Sequence, residues 1–514
     1  MTDMKLKLPR RHLLLGGAAL ALPASTRAQA QAAPRAGTLK VAFLGLDTAD
    51  PHRHTGSIAV QQVYVETLTS IADDGTVKPF LATAWEISPD GKRYSFTIRE
   101  GVRFHNGRLL TAEDVRANAV RVRDQVRGGW LSAPMRLVET MEAPDARTFV
   151  MTMKEPYGPL LNLLSELWIV APESEGWAQT IRMPIGTGPF RFGRWQPNVT
   201  FHAPAFAQYW QPGLPRVEAV EFSLRDDSDL SLPLRAGDLH IGRVGYDKLA
   251  SVSADPNLEV QYMKDTTWWF WSFNNRNPRP PFNDLRVRQA VAHMLDKRAY
   301  MRFVAGEAGV TTNQMAAPGQ FFWDKAMHDA DSHAAPNEDR ARALLREAGV
   351  NPAVTPCRIV SWQNAHSEIA VQAMRKLGFQ VEHLALDDIG AQRRLGQYDW
   401  DLAPFSSGPR ADIFLRFVRL MSDGPNVGLW GGTRDAEFDR LVRAAIAAVD
   451  LGERRRLYLA AWQRAIDNYY TIVIGHAPEP IVNRRDVTGY SPGFTWGQHR
   501  VDGGLGFAAL TARG

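Results

Sequence analysis

Residues 85–114, WEISPDGKRYSFTIREGVRFHNGRLLTAED, constrain the fold of this chain more than any other stretch of its length. Ser88-Pro89-Asp90-Gly91 has the Pro and Gly of a tight turn. Beyond it Tyr94, Phe96 and Ile98 alternate with Ser95, Thr97 and Arg99, the period of a half-buried strand. Glu100-Gly101 interrupts the pattern and Val102 and Phe104 resume it, which predicts a hairpin. Thr111 then offers a capping hydroxyl, with Glu113 and Asp114 in the positive first turn of a helix. Periodicity by itself gives a β-β-α unit and no function.

The wording is more specific. Ala84 to Val115 resembles, almost without departure, a signature of the family 5 extracellular solute-binding proteins, the peptide and nickel receptors of ABC importers. That signature reads A-x-W-x-x-S-x-D-G-(K/R)-x-(Y/W)-x-F-x-(I/L)-R-x-G-V-x-F-(H/S)-(N/D)-G, followed by T-A-E-D-V. Four further passages resemble the same family: Gly186-Thr187-Gly188-Pro189-Phe190, Tyr209-Trp210 with Gly213 and Pro215, Ala236-Gly237-Asp238, and Pro281 to Ala290. The resemblance implies an α/β, two-lobed periplasmic binding protein of type II, of the large cluster with an extra subdomain, closing by a hinge. Lobe I is expected at 37–58, 182–271 and 482–514, the extra subdomain at 59–181 and lobe II at 272–481.

Composition and address agree with such a receptor. At 514 residues the chain exceeds a single core. Its 15 Trp favour an aromatic-lined cleft. Lys5, Lys7, Arg10 and Arg11 precede the apolar run Leu13 to Leu22 and the small-residue site Ala28-Gln29-Ala30. These are the parts of an export signal, and Arg10-Arg11 resembles the twin-arginine type. The apolar run is shorter than the roughly 20 residues a membrane helix needs. The signal also distorts the charge. It holds five of the 60 Lys and Arg and one of the 55 Asp and Glu, so +5 becomes +1 without it. Nothing calls for a nucleic-acid partner. Cys357 is the only cysteine, which excludes an internal disulfide and leaves none at the processed end for a lipid. A free periplasmic monomer is expected.

Along the chain, Thr38 to Phe43 reads as a strand and Val60 to Leu68 as a helix. Val217 to Leu224 is a strand, and Trp268 to Asn274 an aromatic one. Its alternation sends Trp268, Phe270 and Ser272 to one face and Trp269, Trp271 and Phe273 to the other. Val287, Val291, Met294 and Leu295 stripe a helix. Asn337 caps another, and Gly349 ends it. His366 to Leu377 is helical and Phe379 to Leu384 a strand. Asp435 to Val449 and Leu451 to Tyr470 are helices, and Ile472 to Gly475 returns as a strand.

Catalytic and metal signatures are absent: there is no H-E-x-x-H, G-x-x-x-x-G-K-(S/T), G-x-S-x-G or C-x-x-C. No cofactor is expected, and a periplasmic hydrolase is the rival reading of another class. Arg127 and Trp130, three apart, can present a guanidinium and an indole to one anionic or chelate ligand, and the nickel branch of the family holds such a pair. Trp269 and Trp271 are candidates for the cleft wall. Peptide receptors of the family anchor the ligand's amine with an Asp, and alignment puts Ser407 there, with Asp412 close by and Arg410 suited to a carboxylate. His52 and His54, at i and i+2, are weak metal candidates. The resemblance therefore implies capture of a peptide-like solute, or of a metal chelate or opine-type anion, for delivery to an inner-membrane ABC permease.

Overall fold

The computed structural model describes residues 35, 37–43, 45–53, 58–126, 131–224, 229–362, 365–408, 412–424, 432–493 and 499–511. The export signal lies outside them. An eleven-stranded mixed sheet carries the molecule. Its first half holds Thr38–Ala42 between Ala219–Ser223 and Ile241–Arg243, with Thr200–Pro204 and Trp195–Gln196 outermost. Its second half holds Pro356–Trp362 between Leu402–Ser407 and Gln380–Leu386, all parallel. Two long antiparallel strands, Leu258–Phe273 and Thr471–Arg484, join the halves. Leu258 to Tyr262 pair with Arg484 to Pro480 in one half, and Thr266 to Ser272 pair with Pro478 to Thr471 in the other. Between Tyr262 and Thr266 the register shifts. The fold is two-lobed, and each long strand serves both lobes.

A separate four-stranded antiparallel sheet orders Ala82–Ile87, Arg93–Ile98, Thr148–Met153 and Val138–Glu142. The Ser88–Gly91 turn joins its first two strands, with the Gly91 amide donating to the Ser88 carbonyl at 2.8 Å and φ +70° at Gly91. The hairpin therefore lies before this strand rather than after it. Val102 and Phe104 are buried, yet their segment forms one isolated bridge, Arg103 to Leu109, because Phe96 already has strands on both sides. Helix Ala112–Gln125 follows. The Asp114 carboxylate takes both the Thr111 amide and its hydroxyl at 2.9 Å.

The expected helix at 60–68 is a single turn, Ile58–Gln61, followed by the short strand Glu66–Thr67. Its apolar residues point into a lobe core from a turn, which helical periodicity cannot distinguish. Leu285–His293, Glu338–Glu347 and Ser367–Leu377 stand close to where the sequence places them. Asn337 accepts from the Arg340 amide at 2.9 Å. No helix among the described residues is long and apolar enough to cross a membrane.

Candidate functional site

Among the described residues polar side chains enter the interior between parts of the fold at several places, and three of these behave differently. The first joins the first lobe to the unit carrying the four-stranded sheet. Asp50 and Arg121 are both at most 1% exposed there. Arg121 donates to Asp50 at 2.6 and 3.1 Å, and the Ile181 amide donates to the same carboxylate at 3.0 Å. Burial alone would raise the Asp50 pKa, but the Arg121 hydrogen bonds and charge and the Ile181 amide hold it below the usual range. His52 donates through Nε2 to the Trp168 carbonyl at 2.7 Å and accepts from Arg121 on Nδ1 at 2.6 Å. Both ring nitrogens are used, so His52 has no lone pair left for a metal. His54 lies outside the described residues.

The family-like motifs lie in and beside this joint. His105 donates through its amide to Gly186 and through Nε2 to Gly188 at 2.9 and 3.0 Å. A Cβ on Gly186 would overlap the Tyr64 carbonyl, so the chain can pass there only as glycine. Burial lowers the His105 pKa to about 4. Tyr209 and Trp210 donate to the buried Glu66 carboxylate at 2.6 and 3.0 Å, with the Arg99 guanidinium 4.4 Å from the Trp210 ring. The motifs that name the family are spent on holding it together.

The second place is where the long strands enter the second lobe. Trp269, Trp271 and Phe273 bury with Val287, Val291, Ala370 and Met374 under the second lobe's helices. Trp269 and Trp271 are core residues rather than the walls of a cleft, because the helices of the second lobe cover that face of the strand. The opposite face carries Trp268 and Phe270, whose cluster extends from Phe405 and Met315 to the four-stranded sheet. Trp268 pairs in register with Ser407 and His476. Around it Arg416 donates to the Thr266 carbonyl at 3.2 Å and to the Met315 carbonyl, its guanidinium 5.3 Å from the Trp268 ring. Arg419 donates to the Ser407 hydroxyl at 3.3 Å. His476 accepts from Thr266 and donates to the Gln314 carbonyl at 2.8 and 2.9 Å. Burial, then the Arg416 charge, lowers its pKa to about 3, so it is neutral.

The third place joins the four-stranded unit to the second lobe. Asp412 and Arg454 are 3% and 4% exposed, with their charged groups 3.8 Å apart. One Asp412 oxygen takes the Phe414 amide at 2.8 Å. The other oxygen, Nε and Nη1 of Arg454, and the Tyr458 hydroxyl are buried without a hydrogen bond. Burial raises the Asp412 pKa even though Arg454 opposes it. From the opposite side Tyr157 sets its ring edge-on to Phe414, centroids 6.0 Å apart, and the Gly158 amide donates to the Ile446 carbonyl at 2.7 Å.

Of the residues proposed from sequence, Ser407 and Asp412 fall in the interior between the sheet units, while Arg127, Trp130 and Arg410 lie outside the described residues. Arg416, Arg419, Arg454 and Tyr157 were not singled out. One signal was present: Arg454 falls on the apolar stripe Tyr458, Ala461, Ala465 of its helix, where a solvated Arg does not belong. Among the described residues no three of His, Cys, Asp and Glu gather as a metal would need.

Residues 76–421, well over half the chain, match the bacterial extracellular solute-binding proteins, family 5 middle region. Di/tripeptide-binding protein 1 of Pseudomonas aeruginosa strain UCBPP-PA14 is 26% identical over 466 residues, covering 81% of this chain and 84% of that protein. Among solved structures, the PBP AgaA of A. tumefaciens R10 with agropinic acid superposes with TM-score 0.74 at 23% identity, covering 93% of this chain and 99% of that one. NikA of Brucella suis with Fe(III)-EDTA gives TM-score 0.78 at 20% identity, covering 88% and 96%.

Proposed function

Because this chain belongs to the bacterial extracellular solute-binding proteins of family 5, we propose that it captures a peptide-like solute between its lobes for an inner-membrane ABC permease. The observation that carries this reading is the pair of long shared strands with a register shift between Tyr262 and Thr266. The ladder shifts a second time between Trp269 and Phe270, but there both faces are packed in the second lobe, so the sheet bends more readily between Tyr262 and Thr266, which is the requirement for a hinge. We divide the lobes there, with the unit carrying the four-stranded sheet moving with the first lobe. Ligand touching both sides then favours the closed form by its differential affinity alone.

We place the solute beside the end of strand Leu402–Ser407, with Ser407 and Asp412 on the second lobe and Arg127, Trp130 and Arg410 as further contacts. The support for a peptide is an acid, Asp412, for an amine and arginines for a carboxylate, together with a relative named for di- and tripeptides. A second reading, a metal chelate or opine-type anion, is favoured by charge. Arg416 and Arg419 are buried beside Trp268 and Ser407 and bond only uncharged oxygens there among the contacts described, and Arg454 faces Asp412 at 3.8 Å. Calorimetry against dipeptides, oligopeptides, an opine, and nickel with and without His or citrate separates the readings. Binding of none of them contradicts both.

The chain's relatives are solute-binding proteins rather than enzymes, and we infer that it turns over nothing. Saturable peptide hydrolysis that survives repurification overturns that. We further infer export through the twin-arginine route and release without a lipid anchor. Replacing Arg10 and Arg11 by Lys abolishes periplasmic protein on this account, and undiminished export refutes it.

A further inference from the structure

We propose that the Tyr157-Gly158 turn, seated over Asp412 and Arg454, is a releasable latch that sets how much of the unliganded protein is closed. This rests on the hinge reading above and adds a determinant of closure that no ligand contact supplies. Gly158 leaves the four-stranded unit to bond the Ile446 carbonyl, and a Cβ on it would overlap the Ala448 carbonyl. Its backbone is not in the left-handed region, so glycine is needed there for the approach and not for its own conformation. Tyr157 covers Phe414, and the guanidinium of Arg454 lies 5.8 Å from the Phe322 ring.

The contact sits in the apolar core that Tyr157 and Leu160 share with Phe414, Phe417 and Tyr458, and its polar centre is poorly bonded. Apolar burial and one short amide bond hold it shut. Against them stand an ion pair at 3.8 Å and four polar atoms, on Asp412, Arg454 and Tyr458, that the shut form buries without a hydrogen bond from the protein. Opening rehydrates all of them. A joint built this way releases without unfolding either side.

The test uses spin labels on Glu139→Cys in the four-stranded unit and Gln463→Cys in the second lobe, both exposed positions, with Cys357 buried and unreactive. Pulsed dipolar spectroscopy reads the distance with and without a dipeptide pool. In the wild-type background the long distance is a minority of roughly 10% or less. In Gly158→Ala, and independently in Arg454→Met, it becomes the majority at an unchanged melting temperature. Long and short distances present in unaltered proportion in both variants overturn the latch and leave the hinge standing. One distance, insensitive to peptide and to both substitutions, overturns the hinge and the latch with it. A variant that loses melting temperature and keeps the short distance makes the contact ordinary packing and also overturns the latch.

Discussion

Among the described residues two buried Asp-Arg pairs stand where the four-stranded unit meets its neighbours, and they are built to opposite specifications: Asp50-Arg121 bridges the unit to the first lobe, whereas Asp412 and Arg454 both belong to the second lobe, beneath Tyr157. Asp50-Arg121 is bidentate at 2.6 and 3.1 Å, and Ile181 and Gln179 take up further capacity. Asp412-Arg454 stands at 3.8 Å with hydrogen-bonding atoms left over on both partners. Desolvation of a buried pair is repaid only by good geometry and complete bonding. The first pair meets that condition and makes a fixed joint, and the second does not. Burial of charge is therefore no measure of rigidity in this molecule. The completeness of the bonding around the charge is.

The largest effect that could break this contrast is at Asp50. Asp50→Asn leaves Arg121 charged and enclosed, and should cost about 3–5 kcal/mol of unfolding free energy by denaturant titration. A loss no greater than that of an exposed substitution would make the joint incidental. Tyr209→Phe removes one donor to the Glu66 carboxylate and should cost about 1.5–3 kcal/mol. Arg454→Met should leave the unfolding free energy close to that of the wild type, because the joint it sits in can open and let Asp412 find water. Equal losses at the two arginine-aspartate pairs would erase the distinction.

The fixed joint also carries a pH signature. His105 is held neutral by burial, with its pKa near 4 against an ordinary 6.5. Between those values the unfolded chain takes up a proton that the folded chain refuses, so stability falls as pH falls. The slope is up to about 1.4 kcal/mol per pH unit. Above pH 6.5 the residue is neutral in both states and contributes no slope. His105→Asn should flatten the acid limb by that amount, and an unchanged limb would mean that His105 is protonated in the fold.

Much of the architecture was legible because the family-like motifs encode backbone geometry. The Ser88–Gly91 turn, the glycines of 186–188 and the caps at Thr111 and Asn337 each leave a local mark in residue type. The strand Trp268 to Asn274 was legible as a strand, and so was its division into two faces, but not what covers each. Both sides are aromatic and both are buried, one under the second lobe's helices and the other in the core reaching the four-stranded sheet. Alternation cannot report what a distant segment covers. For the same reason Ser407 and Asp412 could be picked out by alignment, while their partners were not: Arg419 comes from the turn after Phe414–Phe417 and Arg454 from the helix Leu451–Asp467. Arg454 stands next to Arg455 and Arg456, and only its phase on the apolar stripe sets it apart.

Amide hydrogen exchange under native conditions tests the difference between the two joints most directly. The Gly158 amide, bonded to Ile446, reports the releasable joint. The Ile181 amide, bonded to Asp50, reports the fixed one. The account predicts that Gly158 exchanges through a sub-global opening far smaller in free energy than global unfolding, whereas Ile181 exchanges only when the whole protein unfolds. Equal protection at the two amides would contradict it.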